Sequence, residues 1–302
     1  ANHNGDINRA YAIMEEAKKA GASAIKLQSY THETITMDCD SEEFQIKGGL
    51  WDGQSLYDLY KGAHMPWDWH KPLFAKAKEL GITIFSSPFD FTAVDLLEEL
   101  NAPAYKIASF EIVDLPLIAR VAKTGKPMII STGMANEQEI HDAVKTAKEN
   151  GCTELVVLQC VSGYPAPAEQ YNLKTIPDIA KRFDVLSGLS DHTIDNATAV
   201  TSIALGACLI EKHVTLDRSG GGPDDSFSLE PKELHNLVKD TNTAWRSLGH
   251  INYEKTEAEL GNIKFRRSLY VVKDVSAGEE FTKENVRSIR PGFGIAPKYL
   301  YD

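Results

Sequence analysis

The feature that most constrains this chain is a regular alternation, in which short apolar runs of strand length are separated by longer stretches with amphipathic helical spacing. A parallel α/β sheet needs this pattern, because its strands are buried on both faces while each crossover helix is apolar on one side only. Strand-length runs are read at 22–28, 83–87, 104–109, 127–132, 155–161, 184–190 and 208–215, seven in all. Helical spacing is read at 6–19, 66–80, 92–100, 115–123, 136–150, 173–182, 196–205 and 231–248, eight in all. Gly21, Gly81, Gly125, Gly151 and Gly206 each follow a helical stretch and precede a strand, as capping glycines do. Eight helices against seven strands, with a polar loop leading straight into the first helix, predict a (β/α)8 TIM barrel whose first strand would precede Ala1. A doubly wound open sheet shares the alternation and stays open as an alternative, although the regular unit length favours the barrel over residues 1–248.

Beyond Leu248 the alternation stops. Residues 249–267 are polar and read as a linker, whereas 268–302 open with the strand-like Leu269-Tyr270-Val271-Val272 and run through turn-rich sequence to Arg290-Pro291-Gly292. About 35 residues cannot bury a self-sufficient core, so this piece is read as a partial domain. The formal net charge of −11 opposes a nucleic-acid partner, since counterion release requires a basic face. No apolar run approaches the ~18 residues of a membrane span. Cys39, Cys152, Cys160 and Cys208 form no CxxC pair and read as reduced thiols, which places the chain in the cytoplasm.

Active sites of such barrels lie at the C-terminal ends of the strands, so reactive residues should collect there. In chain order these ends carry Lys26, then Ser86 and Ser87, then Lys106, Ser109 and Glu111, then Ser131 and Thr132. Ser162 and Tyr164, Ser190-Asp191-His192, and Glu211 with His213 follow. No glycine-rich phosphate loop is present, so a phosphate would be held by side chains. Lys26 and Lys106 each interrupt an apolar strand, where an ammonium requires a partner. One such lysine alone would read as half of a salt bridge to a neighbouring strand. Two on one rim, with Ser109, Ser131 and Ser190 as hydroxyl donors, read as a cradle for phosphate and carboxylate together. His192 and His213, at the ends of adjacent strands, are placed either to share a divalent cation or to be hydrogen-bonded core residues. Asp224, in the Gly220-Gly221-Gly222-Pro223-Asp224-Asp225 loop, is a candidate acceptor for sugar hydroxyls or amides. Trp51, Tyr57, Tyr60, Trp67 and Trp69 read mainly as packing, with Trp51 a candidate lid.

Six segments taken together resemble the sialic acid synthase family: Asn2-His3-Asn4-Gly5, Ile25-Lys26-Leu27-Gln28, Ser86-Ser87-Pro88-Phe89-Asp90, Tyr105-Lys106-Ile107-Ala108-Ser109, Gly188-Leu189-Ser190-Asp191-His192 and Ile210-Glu211-Lys212-His213. The segment 47–60 is similar to the pseudaminic branch of that family. The tail, with Lys273-Asp274, Gly278-Glu279, Thr282, Glu284-Asn285-Val286 and Arg290-Pro291-Gly292, resembles the start of its antifreeze-like (SAF) domain.

The resemblance implies a transferase that joins phosphoenolpyruvate to an acetamido sugar with C–O cleavage. For the pseudaminic branch the sugar is 2,4-diacetamido-2,4,6-trideoxy-altrose, with N-acetylneuraminate or legionaminic acid synthesis as the alternative. It implies that Lys26, Lys106, Ser109, Ser131 and Ser190 bind phosphoenolpyruvate. Ser162 would join them at a position where the sialic branch has asparagine. Glu111, Tyr164 and Asp224 would meet the sugar, and His192 and His213 would hold a divalent metal, Mn2+ or else Mg2+ or Co2+. Arg290 would reach the sugar of a second copy in a domain-swapped homodimer, and the family's catalytic glutamate would lie ahead of Ala1. Two rival readings remain: a Schiff-base aldolase using Lys26 or Lys106, and a non-catalytic sugar-binding barrel.

Overall fold

The structure is a computed structural model that describes residues 1–300, which fall into two compact units, Ala1–Leu248 and the residues from Gly249 onward. In the first unit seven parallel strands form one sheet: β1 Ala24–Ser29, β2 Thr83–Pro88, β3 Tyr105–Ile107, β4 Met128–Ser131, β5 Leu155–Cys160, β6 Leu186–Asp191 and β7 Ile210–Lys212. Their order in the sheet is their order in the chain. A doubly wound sheet reverses direction at a switch point, so this order excludes that alternative and leaves a curled, TIM-like half-barrel. Strands β1 and β7 remain edges, and a cavity of about 890 Å³ lies between them.

All seven expected strands are present, as are the eight expected helices: Ile7–Ala20, His70–Leu80, Phe91–Glu99, Leu115–Ala122, Glu137–Glu149, Thr175–Phe183, Ala197–Ala204 and Pro231–Leu248. Local chemistry fixes their ends. The Asp90 carboxylate accepts from the Thr92 and Ala93 amides to start Phe91–Glu99, and Asn136 with Glu139 forms a capping box before Glu137–Glu149. Gly21 (φ 90°) and Gly81 (φ 64°) close their helices in the left-handed region that a side chain disfavours.

Period-two alternation along the strands decides which residues face the site. Ile25 and Leu27 pack with Met14, Leu73 and Ala77 in one helix–sheet core, so the intervening Lys26 turns to the other face. Tyr105 and Ile107 pack with Leu117, Ile118 and Val121 in a second core, which turns Lys106 inward in the same way.

The excursion between β1 and β2 carries two helices that periodicity did not reveal, His32–Ile35 and Leu56–Ala63. The second unit holds an antiparallel pair, β8 Ser268–Val271 and β9 Val286–Ile289. Residues 249–267, expected as a linker, belong to this compact unit and carry the short helix Glu257–Leu260, capped by Thr256 with Glu259, and a turn at Ile263–Phe265. Four residues are too few to show helical spacing. Among the described residues no helix is long and apolar enough to cross a membrane.

Candidate active site

Lys26 and Lys106, from β1 and β3, both reach the same oxygen of Glu211 on β7, at 3.3 and 3.5 Å. The Ser190 hydroxyl donates to that oxygen at 3.0 Å. The Lys106 side chain is only 2% exposed. Burial lowers its pKa to about 8, an effect that Lys26 reinforces and Glu211 opposes. Burial alone would raise the Glu211 carboxyl, but Lys106 and Lys26 outweigh it and hold the group far below the usual carboxylate range. The strand carboxylate that a lone lysine would need is therefore present, but it is shared by two ammonium groups. The cluster carries one surplus positive charge.

The serines stand around this charge. Ser109 Oγ accepts from the Gly133 amide at 3.1 Å. A methyl placed on Gly133 would lie 2.1 Å from Ser162 Oγ and 2.7 Å from Ser109 Oγ, so both hydroxyls crowd one glycine just beyond β4. Ser131, at the end of β4, and Ser87, at the end of β2, are buried with hydroxyls that have no partner. An unpartnered buried hydroxyl costs ~1–3 kcal/mol, which an anionic ligand would recover.

His192 and His213 come together, with ring centroids 5.3 Å apart. His192 Nδ1 lies 2.8 Å from the Val161 carbonyl, which can only accept, so Nδ1 donates to it and Nε2 is left facing away from that bond. His213 Nδ1 lies 3.5 Å from the Asp224 carboxylate. Asp224 is buried, which would raise its carboxyl, but His213 outweighs this and holds it low. Asp224 thus orients His213, a partnership that its place in a glycine-rich loop did not disclose. Among the described residues no group of three or more His, Cys, Asp or Glu side chains is arranged to hold a metal ion. The donor set is two imidazoles whose Nδ1 atoms face protein acceptors, which suits a catalytic cation that keeps open positions for water and substrate.

Tyr164 packs at a tilt against His192, with ring centroids 4.5 Å apart, and lies 6.3 Å from His213, with Phe227 5.0 Å away. Trp51 lies 6.0 Å from the Tyr164 ring and donates its indole N–H to the Pro223 carbonyl at 3.1 Å, which sets it against the loop that carries Asp224. Glu111, in the turn Ser109–Val113, has a buried oxygen without a partner. Burial pushes its carboxyl up to about 7. Arg290 follows β9 in the second unit, whereas the other eleven candidates belong to the first.

The sequence pointed to Glu211 only as a strand-end residue and to Gly133 not at all. A carboxylate at the end of the strand that closes the series, across from two rim lysines, was the available signal for Glu211. Cys160, read as a reduced thiol, lies 4.0 Å from His192 Nδ1.

The sequence profile of the NeuB family matches residues 13–253, and that of the SAF domain matches residues 266–302. This chain belongs to the NeuB family. Its NeuB-family relatives include pseudaminic acid synthase of Campylobacter jejuni, 44% identical over the whole of this chain and 88% of that protein. Pseudaminic acid synthase of Helicobacter pylori is 41% identical over 99% of this chain and 88% of that protein. Among solved structures, N-acetylneuraminic acid synthetase of Leptospira borgpetersenii in complex with citrate superposes with a TM-score of 0.77 at 32% identity, covering 88% of each chain.

Proposed function

We propose that this NeuB-family chain is a pseudaminic acid synthase, condensing phosphoenolpyruvate with 2,4-diacetamido-2,4,6-trideoxy-altrose in the cytoplasm. The observation that carries the chemistry is the meeting of Lys26 and Lys106 on the single carboxylate of Glu211, beside unpartnered serine hydroxyls. The choice of sugar is supported by two relatives named as pseudaminic acid synthases at 44% and 41% identity.

In this reading Lys26, Lys106, Ser109, Ser131, Ser162 and Ser190 bind the phosphate and carboxylate of phosphoenolpyruvate and hold its C3 toward the sugar aldehyde. C3 attacks the aldehyde carbon and water adds to C2. The tetrahedral intermediate then loses phosphate by C–O cleavage. Glu111, poised near neutral pH, holds or gives a proton beside the sugar, while Tyr164 and Asp224 position it. His192 and His213 would hold Mn2+, or Mg2+ or Co2+ in its place, through their Nε2 atoms. Such a cation supplies a Lewis acid for the aldehyde oxygen. Arg290 reaches the sugar of a second copy in a domain-swapped homodimer.

The test offers phosphoenolpyruvate with the altrose-type diacetamido sugar, its mannose-type counterpart and N-acetylmannosamine, and compares phosphate release. Fastest release with the altrose-type sugar is expected. Preference for either other sugar would move the chain to the legionaminic or neuraminate branch. In oxygen-18 water the released phosphate should stay unlabelled, since C–O cleavage keeps its bridging oxygen. The lowered pKa of Lys106 also suits a Schiff-base aldolase. Borohydride trapping of a pyruvate adduct on Lys106 would establish that reading instead.

A further inference from the structure

Trp51 contacts Tyr164, on the segment after β5, and Pro223, in the glycine-rich loop after β7, both on the sugar side of the site. It sits at the tip of a closed hairpin whose base is fixed by the Gln45–Ser55 bridge and by the bond from the Ile46 amide to the Gln54 carbonyl. The Asp52 carboxylate accepts from the Gly48 amide at 2.6 Å and stiffens the tip. From there the indole N–H crosses to the Pro223 carbonyl. The residue after Pro223 is Asp224, whose carboxylate orients His213. The far end of that loop is tied down separately, because Asp225 is held by Asn4, Gly222 and Thr215. At Pro223 the tie is Trp51. Its ring also extends the aromatic wall of Tyr164 and Phe227 beside the histidine pair.

We infer that Trp51 is a sugar-positioning residue: its N–H pins the loop that sets Asp224 against His213, and its ring completes an aromatic wall for the C–H-rich face of an acetamido deoxy sugar. This rests on the function proposed above. An aromatic face suits methyl and ring C–H groups, while the indole edge stays engaged with protein. Among the described residues no hydrogen bond or ring contact joins Trp51 itself to Lys26, Lys106 or the cradle serines, so the two substrates should respond differently to its loss.

The test uses the full chain with Mn2+ and compares wild type, Trp51→Phe and Trp51→Ala. Binding of the altrose-type diacetamido sugar and of phosphoenolpyruvate is measured by calorimetry, and KM and kcat by phosphate release. Trp51→Phe keeps a ring and loses the donor that holds Pro223, so it should weaken sugar binding about fivefold through the freed Asp224 loop. Trp51→Ala should weaken it about tenfold or more, and phosphoenolpyruvate binding should stay within about twofold in both. Partial rescue by phenylalanine marks a contact with the sugar rather than a general loosening. Equal weakening of both substrates, or no change in either, would overturn the inference. Wild type alone decides the underlying function: a protein that releases no phosphate with any sugar ends that proposal, whereas the variants decide Trp51.

Discussion

Lys106 is held as an ammonium against its own burial, and that tension has a sign. Folding depresses its pKa from 10.5 to about 8, so the charged form costs the fold stability below pH 8, and the cost is relieved as pH rises through 8 toward 10.5. A bound anion works the other way, because it needs the proton that the free site gives up. Affinity for phosphoenolpyruvate should therefore fall about tenfold between pH 7 and pH 9. Calorimetry at the two pH values measures this, and a Lys106→Met variant should bind weakly at both with the step removed. Glu111 has the opposite sign. Its carboxyl is raised from 4.5 to about 7 by burial, so its contribution to stability is full below pH 4.5 and is lost as pH rises through 7. Glu111→Gln should remove that loss. Its melting temperature should exceed that of wild type by a margin that opens between pH 5 and pH 8, corresponding to on the order of 2 kcal/mol. A constant margin across that range would show that the carboxyl does not titrate there. The lysines and histidines were legible in the sequence because a polar residue inside an apolar strand is conspicuous. The part played by Glu211 and the pairing of Asp224 with His213 were not, since they depend on which strand ends meet across the barrel.

The elements were legible where they are long and periodic. Seven strands and eight helices emerged because each repeats one pattern, apolar throughout or apolar on one side, and because Gly21 and Gly81 end their helices in a conformation that suits glycine. The excursion between β1 and β2 resisted for a physical reason. Its helix Leu56–Ala63 spans two turns, and Tyr57 and Tyr60 pack edge-on against His32 and Tyr30 rather than supplying an aliphatic stripe to the main core. The turn after β4 shows what the sequence conceals about a site element. Nothing marks Gly133 as special in one dimension, yet its missing side chain is the space into which the Ser109 and Ser162 hydroxyls project. Its backbone is not in the left-handed region, so Gly133→Ala adds a steric clash without backbone strain. The variant should keep its helix content by circular dichroism and lose affinity for phosphoenolpyruvate by about tenfold or more, as displaced hydroxyl donors require. Unchanged affinity would place the anion elsewhere.

At the scale of the whole molecule, counting the alternation pointed to a barrel and the observed strand order then excluded the open sheet, while the charge balance sets up a conflict that no single residue contains. The chain as a whole carries −11, yet its candidate anion site holds two ammonium groups against one carboxylate. A polyanion such as phosphoenolpyruvate is repelled by the far field and attracted by the near one. Salt separates the two, because the Debye length shrinks from about 30 Å at 0.01 M to about 8 Å at 0.15 M. Screening at the higher value removes repulsion from distant surface carboxylates, whereas Lys106, with its side chain 2% exposed, is shielded from mobile ions. The association rate for phosphoenolpyruvate should therefore rise roughly two- to fivefold between these ionic strengths, with dissociation nearly unchanged. This is the reverse of the trend for an enzyme whose outer surface steers its substrate inward. Stopped-flow mixing across a salt series measures both rates. A falling association rate would mean that the positive potential of the cradle extends beyond the barrel mouth and outweighs the surface charge.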